Sequence, residues 1–287
     1  MTLQQLRYLI AIANHGSISA AAHTLYVSQS SLSVAVRDIE RETGVTIFER
    51  SNRGITLTSD GIELLGYARQ VVEQADLMEQ RYSGRGGEAA QKLSITSQHY
   101  AFVVEAFLEL AEEYEGTSYN FSLRETRTSE VIEDVRDFRS DLGVLYLSTF
   151  NESVIGHALS DANLSFNLLF TAQPHVFVSD KHPLASRTEV TVEDLEDYPR
   201  YAFEQGANNS FFYSEEPLAE LPHKKCISVS DRGTLSNLLA HHDGYAISSG
   251  VLSSEMYTGI ASVPLQTKEL MRVGYIVHNL SLIHISE

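Results

Sequence analysis

Val27-Ser28-Gln29-Ser30-Ser31-Leu32-Ser33-Val34-Ala35-Val36-Arg37 is the stretch that decides how this chain reads. Ser28 can cap a helix, and Val27 and Leu32 stand where a hydrophobic staple forms across its first turn. Leu32, Val36 and Ile39 share one face, which predicts a buried stripe. The opposite face carries Gln29, Ser30, Ser33 and Arg37, with Val34 beside them. Such a face suits a DNA major groove: Gln can pair with an adenine edge, Ser with phosphate or base, and Val methyls with a thymine methyl. The same face would also serve as the solvated side of a small helical domain.

On the N-terminal side, residues 2–14 read as a helix that Thr2 caps together with Gln5, with Leu3, Leu6, Ile10 and Ala13 on one face. His15-Gly16 ends it, and Ser17 caps a short second helix, Ile18 to Leu25. On the C-terminal side, Gly44 to Arg50 turns into a strand, Ser51-Asn52-Arg53-Gly54 is turn-rich, and Ile55-Thr56-Leu57 returns. The expected hairpin is a wing with Arg50 and Arg53 near its tip, placed for the phosphates that flank the groove. Arg53→Ala is therefore expected to weaken binding to every sequence. Helix, turn, helix and wing in that order favour DNA over a plain helical domain.

Thr58 then caps a long helix running to about Tyr82, with Asp60 near its positive end. Leu64, Ala68, Val71, Ala75, Met78 and Tyr82 are spaced 4-3-4-3-4, the seam of a coiled coil. That stripe predicts dimerisation; the alternative is that it packs onto the wing and the first helix. Ser83-Gly84-Arg85-Gly86-Gly87 reads as a hinge.

Composition sets limits. The 287 residues suffice for a small and a large domain, and no apolar run reaches bilayer length. A net charge of −17 argues against nucleic acid, but residues 1–85 hold eight Lys and Arg against nine Asp and Glu, leaving −16 for the remainder. The acidity thus belongs to the second part. The N-terminus lacks a signal-peptide pattern, and the single cysteine, Cys226, fits a reducing cytosol. Cys226 precedes Ile227-Ser228-Val229 and is expected to be a buried small hydrophobe.

Beyond residue 90, strand and helix alternate: strands at 93–96, 119–123 and 142–147, helices at 102–114 and 129–138. A second lobe is expected from about Leu168, with strands at 175–178, 227–229 and 245–249 and a helix at 234–240. Val273 to Val277 brings the chain back to the first lobe. In open α/β sheets ligands bind beyond the carboxyl ends of strands, and here those ends carry hydroxyls. Thr96, Ser97, Thr126, Arg127 and Ser248 are the effector-contact candidates, although Ser and Thr there also serve as helix caps.

The chain resembles the LysR-type transcriptional regulators. The resemblance rests on Gly16-Ser17-Ile18-Ser19-Ala20-Ala21-Ala22, Val27 to Ser33, Phe48-Glu49-Arg50 and Leu57-Thr58-x-x-Gly61. Weaker support comes from Asp141-Leu142-Gly143-Val144, His182-Pro183-Leu184, Asp194-Leu195 and Tyr245 to Gly250. Val34-Ala35 departs from the Arg-Gln that many members carry there and removes one cationic contact. The resemblance implies an α/β protein with a winged helix-turn-helix at 1–59, a linker and dimerisation helix with hinge at 60–87, and a periplasmic-binding-protein-like effector domain at 88–287. Lobe I would span about 91–165 and 262–287, and lobe II 166–261. The expected partners are double-stranded promoter DNA with a partly palindromic site, a small-molecule effector, a second copy in a dimer or tetramer, and RNA polymerase. No membrane and no cofactor beyond a small-molecule co-inducer are expected, and the cytoplasm is the expected location. Members finish with a strand and an amphipathic helix, whereas Asn279 to Glu287 is too short for a full helix, so an altered or truncated C-terminus is expected.

Two other classes compete. An enzyme would need a site, and the chain has no Gly-x-Ser-x-Gly elbow, phosphate loop or dinucleotide fingerprint. His241-His242-Asp243 fits helix-end polar residues better than a metal site, because neighbours on a helix diverge by about 100°. Glu112-Glu113 and Glu215-Glu216 read as solvated faces. A binding protein whose N-terminal domain contacts another protein would show no affinity for duplex DNA at any salt.

Overall fold

The computed structural model describes residues 1–51, 54–82, 90–208, 210–251 and 258–279. The chain divides into two compact units, with the first reaching Ala90 and the second covering Gln91–Asn279.

The first unit begins with α1 (Leu3–His15), which opens on a reciprocal capping box between Thr2 and Gln5 and closes on left-handed Gly16. Ser17 caps α2 (Ile18–Thr24) and Ser28 caps α3 (Gln29–Thr43), as the sequence predicts. α3 stops at Gly44, where φ is +74°, a conformation that glycine adopts without steric cost. β1 (Phe48–Ser51) and β2 (Gly54–Leu57) form the antiparallel wing, with Arg50 opposite Ile55. α4 (Ser59–Tyr82) follows, its Gly61 amide donating to Thr58 Oγ1 at 2.8 Å. A Cβ on Gly61 would lie 2.2 Å from the Ile47 carbonyl oxygen, so only glycine lets α4 cross the entry to the wing this closely.

Two apolar clusters hold this unit. Leu6, Leu9, Ile39, Ile47, Leu65 and Ala68 form one; Ile12, Ile18, Ala21, Ala22, Leu32 and Val36 form the other. The buried face of α1 is thus Leu6, Leu9 and Ile12, rotated from the expected one: Leu3 is exposed, and Ile10 and Ala13 are only partly covered. The rotation arises because α1 must serve both clusters at once.

The linker seam also needs correction. Leu64 and Ala68 turn inward and pack in the cluster with Leu6 and Leu9. Arg7 pairs with Asp76 at 2.5 Å, fastening α4 to α1. Val71 and Met78 stay outside, 49% and 60% exposed, with Tyr67 beside them, and Ala75 is half-buried. The expected stripe is therefore divided between the unit's own core and a narrower outer strip. Tyr82 ends the helix, and its side chain, the 83–87 hinge, Arg53 and residues 280–287 lie outside the described residues.

The second unit holds two lobes. In lobe I, β3 (Gln91–Ser97), α5 (Ala101–Glu113), β4 (Tyr119–Glu125), α6 (Thr128–Arg136), β5 (Leu142–Leu147), α7 (Glu152–Asp161) and β6 (Leu164–Ala172) are joined by the returning β12 (Met271–His278). The five-stranded sheet has the order β4-β3-β5-β12-β6, with β3 parallel to β4 and β5, and β12 antiparallel to β5 and β6. Val131, Val135, Leu145, Ile155, Leu159 and Ile276 fill one face of it. Lobe II contains β7 (His175–Ser179), β8 (Arg200–Phe203), β9 (Cys226–Val229), α8 (Arg232–His241), β10 (Ala246–Ser248) and β11 (Ile260–Pro264). β10-β7-β11 is antiparallel, and β8 and β9 form a separate parallel pair.

Strand pairing moves both lobe boundaries from those expected. β6 belongs to the lobe I sheet and β11 to lobe II, so lobe I holds 91–172 and 271–279. Cys226 is exposed rather than buried, because β9 forms the outer member of its pair and only Val229 of that strand reaches the core. Among the described residues no helix is long and apolar enough to cross a membrane.

Candidate nucleic-acid interface and candidate effector cleft

Ser28 Oγ accepts from the Ser31 amide at 3.1 Å and lies 2.8 Å from Ser30 Oγ. Its side chain is therefore engaged in capping, while the first turn of α3 presents amides and a positive dipole end that suit an anion. Gln29 and Ser30 are exposed, Ser33 is half-buried, and Val34 is 46% exposed. Among the described residues the Gln29 side-chain amide has no hydrogen-bond partner, and Arg37 is exposed with its Nε turned back to the Ser33 carbonyl at 3.2 Å. The face thus combines uncommitted donors and acceptors with an apolar methyl pair. Ala35, by contrast, is buried.

Sequence reasoning passed over Tyr26. It occupies the turn before α3 with φ +55° and is 94% exposed. A bulky residue in the left-handed region is uncommon, and here it leaves the Tyr side chain almost fully in solvent just before α3. Arg50 is placed on β1, within the wing.

The effector candidates meet very different conditions. Thr96 and Ser97 are wholly buried at the end of β3. Thr96 Oγ1 donates to Asp134 at 3.4 Å, a carboxylate already held by Arg124 and Arg139 at 2.7 Å each. Thr96 therefore belongs to the interior of lobe I. Ser97 Oγ has no hydrogen-bond partner among the described residues, and such a buried hydroxyl is costly to leave unmade. Thr126 donates to Glu130, while Arg127 bridges Glu130 in its own lobe and Glu204 in the other. Ser248 stands on β10 opposite His175 and joins none of these groups by a hydrogen bond.

Between the lobes lies a network that the sequence did not reveal. Gln98, fully buried after β3, accepts from Tyr100 Oη at 2.9 Å and from the Tyr146 amide at 3.1 Å. It donates to Thr128 Oγ1 at 2.6 Å. The Thr128 amide, at the N-terminus of α6, donates 3.2 Å to Gln205 Oε1 from lobe II. Gln205 also reaches Glu215 at 3.1 Å, and Glu215 accepts from both the amide and Nδ1 of His99 at 2.9 Å. His99 stacks on Phe203 with centroids 4.1 Å apart. Arg232 pairs with Glu125 at 2.9 Å across the same gap.

Glu215 and Glu216 are thus buried, not solvated. Glu216 accepts from the Phe203 amide and from Ser214 Oγ, both at 2.7 Å. Burial, followed by the charge of Glu215, pushes its carboxyl up to about 7. Burial opposes protonation of His99, but the hydrogen bond and charge of Glu215, with help from Glu125 and Glu216, leave its pKa above the ordinary value. Ion pairs, amides and stacked rings of the chain itself therefore occupy the ground where strand ends and a helix N-terminus would meet a ligand.

His241 and His242 behave as helix-end residues: His241 Nδ1 lies 3.1 Å from the Asn237 carbonyl, and His242 Nδ1 lies 2.5 Å from Tyr201 Oη.

Comparison with known proteins supplies the family. Residues 3–62 match the bacterial regulatory helix-turn-helix model of the lysR family, and residues 88–280 match the LysR substrate binding domain. AlsR of Bacillus subtilis, an HTH-type transcriptional regulator, is 27% identical over 210 residues, which is 69% of this chain and 63% of that protein. ClcR of Pseudomonas putida, another such regulator, is 38% identical over 88 residues, 30% of each chain. The matches thus span less than two thirds of these relatives' own length. A full-length OxyR variant from Pseudomonas aeruginosa shares the fold with a TM-score of 0.63 at 23% identity, covering 98% of this chain and 90% of that one. With both family models in their order and together spanning nearly all of the sequence, the chain belongs to the LysR family.

Proposed function

We propose that this chain is a cytoplasmic, sequence-specific DNA-binding transcriptional regulator whose activity a small molecule controls from between the two α/β lobes. The observation that carries this reading is the exposed, uncommitted polar face of α3, set in a helix-turn-helix with a wing directly after it. Gln29, Ser30, Ser33, Val34 and Arg37 meet base edges and backbone in the major groove; Ser28 presents the helix terminus to a phosphate. Arg50 of the wing, and Arg53 as the sequence predicts, add phosphate contacts. The names of AlsR and ClcR as transcriptional regulators support the same assignment.

Dimerisation through α4 places two recognition helices on one DNA face. Its contact strip is Tyr67, Val71 and Met78, with Ala75 at its margin, since Leu64 and Ala68 already serve the unit's own core. The effector displaces the groups that now join the lobes, with the unpartnered Ser97 hydroxyl and Arg127 as its first contacts.

The test is to capture genomic DNA fragments with the pure protein, sequence them, and measure affinity for the recovered site as salt rises. Specific binding should weaken by about 10³ or more between 50 and 200 mM salt if six or more phosphates are neutralised. No duplex binding at any salt would favour a protein-contact role for the first unit.

A further inference from the structure

Lobe II contains a cavity of about 440 Å³ lined in part by Arg200 of β8 and Ile247 of β10, and by none of the side chains that bond across the lobes. Its volume lies within the range of small-molecule sites. Leu195, Tyr245 and Ile247 form its buried floor, Val192 and Leu218 its walls, and Leu221 stands near the mouth. Among its described lining residues Arg200, 3% exposed, is the one buried charge.

Arg200 donates to two neutral carbonyls, Leu218 at 2.6 Å and Pro217 at 3.0 Å. Among the described residues no carboxylate stands within ion-pair distance of it. A guanidinium has five N–H groups in a fixed fork that matches a carboxylate, and a buried cation without an acid partner favours an anion. The charge of Arg200 also reaches Glu216, whose carboxyl is held at about 7 by burial and by the charge of Glu215. At the mouth, the exposed Lys224 sits 3.7 Å from both Glu196 and Asp197.

We propose that this cavity is a second small-molecule site, separate from the interlobe cleft, which takes an amphipathic carboxylate with its apolar body against Leu195 and Ile247 and its anionic head at Arg200. The segment that forms its wall also joins the lobes. Glu215 holds His99 of lobe I, Pro217 and Leu218 rest on Arg200, and Leu218 and Leu221 face the cavity. Leu218 adopts φ +59°, a left-handed conformation that the Arg200 contact helps to hold. A carboxylate that takes over Arg200's donors loosens Pro217 and Leu218, and through them the grip of Glu215 on His99. The second site thus bears on the same latch as the cleft.

Sodium octanoate and 1-octanol, titrated calorimetrically into the full-length chain, test this directly. One octanoate per chain is expected, with 1-octanol at least tenfold weaker. Val192→Trp and Leu221→Trp, each filling the cavity, should weaken octanoate at least tenfold while thermal melting confirms a folded chain. If Val192→Trp fails to fold, Leu221→Trp at the mouth carries the test. Absence of saturable octanoate binding, octanol binding as tight as octanoate, or filled variants that bind like wild type would each overturn the proposal. Retained binding to captured genomic DNA alongside any of these would leave the regulator reading intact.

Discussion

The α3 face and the interlobe cleft treat their polar groups in opposite ways, and on the proposed reading both hold them ready for a partner. On α3, Gln29 is exposed and without a partner among the described residues, and Val34 projects beside it. In the cleft, Gln98 and Gln205 are buried and engaged in three hydrogen bonds or more each, and Glu215 and Glu216 are 4% exposed. A surface that must meet many DNA sequences before its own site keeps its polar groups in water, at little cost to the free protein. On the proposed reading, the cleft satisfies most of its polar groups internally, with the Ser97 hydroxyl excepted, so that a ligand has to replace bonds rather than merely add them. Variants should therefore act on binding in the first region and on stability in the second.

The largest effect is expected from Glu215→Ala. It removes the acceptor of two His99 bonds and the Gln205 contact from a buried site, where breaking a pair costs about 3–5 kcal/mol. Urea unfolding of the second unit should show that loss, with the first unit's melting unchanged.

Next comes pH. A carboxyl raised to about 7 by folding binds a proton that the unfolded chain releases near the ordinary value of 4.5. Stability is therefore greatest at low pH within this window and falls as pH rises from about 4.5 to 7, by roughly 3 kcal/mol for a shift of this size. His99, also raised, adds in the same direction: its contribution is complete below its unfolded pKa and is lost as pH rises through its folded one. Glu216→Gln should flatten the fall between pH 5 and 7, as read by denaturant titrations at each pH. An unchanged slope would remove Glu216 from the account.

Ser28→Ala sharpens the contrast from the other side. Loss of the N-cap should cost the first unit about 1 kcal/mol in denaturant titrations. It should also weaken DNA binding on every sequence alike, because the cap positions the helix end without reading a base.

The same contrast explains what could be read from the residues alone. Caps act within three or four residues, so Thr2, Ser17 and Ser28 were legible, as were the α3 stripe and the wing. What depends on distant partners was not. Glu215 is buried because His99, 116 residues earlier, receives it, and nothing in the local Ser-Glu-Glu-Pro pattern signals that. A pair of acids framed by Ser214 and Pro217 in an otherwise apolar neighbourhood was the only hint. The α4 seam misled because a 4-3 spacing does not say which neighbour covers it: Ala68 goes to α1, whereas Val71 remains outside. β6 was assigned to the wrong lobe because its partner, β12, lies about a hundred residues further along the chain.

The central claim concerns one face of one helix. Fluorescence anisotropy of the wild type and Gln29→Ala, each on a captured genomic site and on a scrambled duplex of equal length, tests it most directly. Loss of about 1–3 kcal/mol on the site alone, with the scrambled duplex unaffected, is the predicted result. Equal weakening on both duplexes, or none on either, would contradict it.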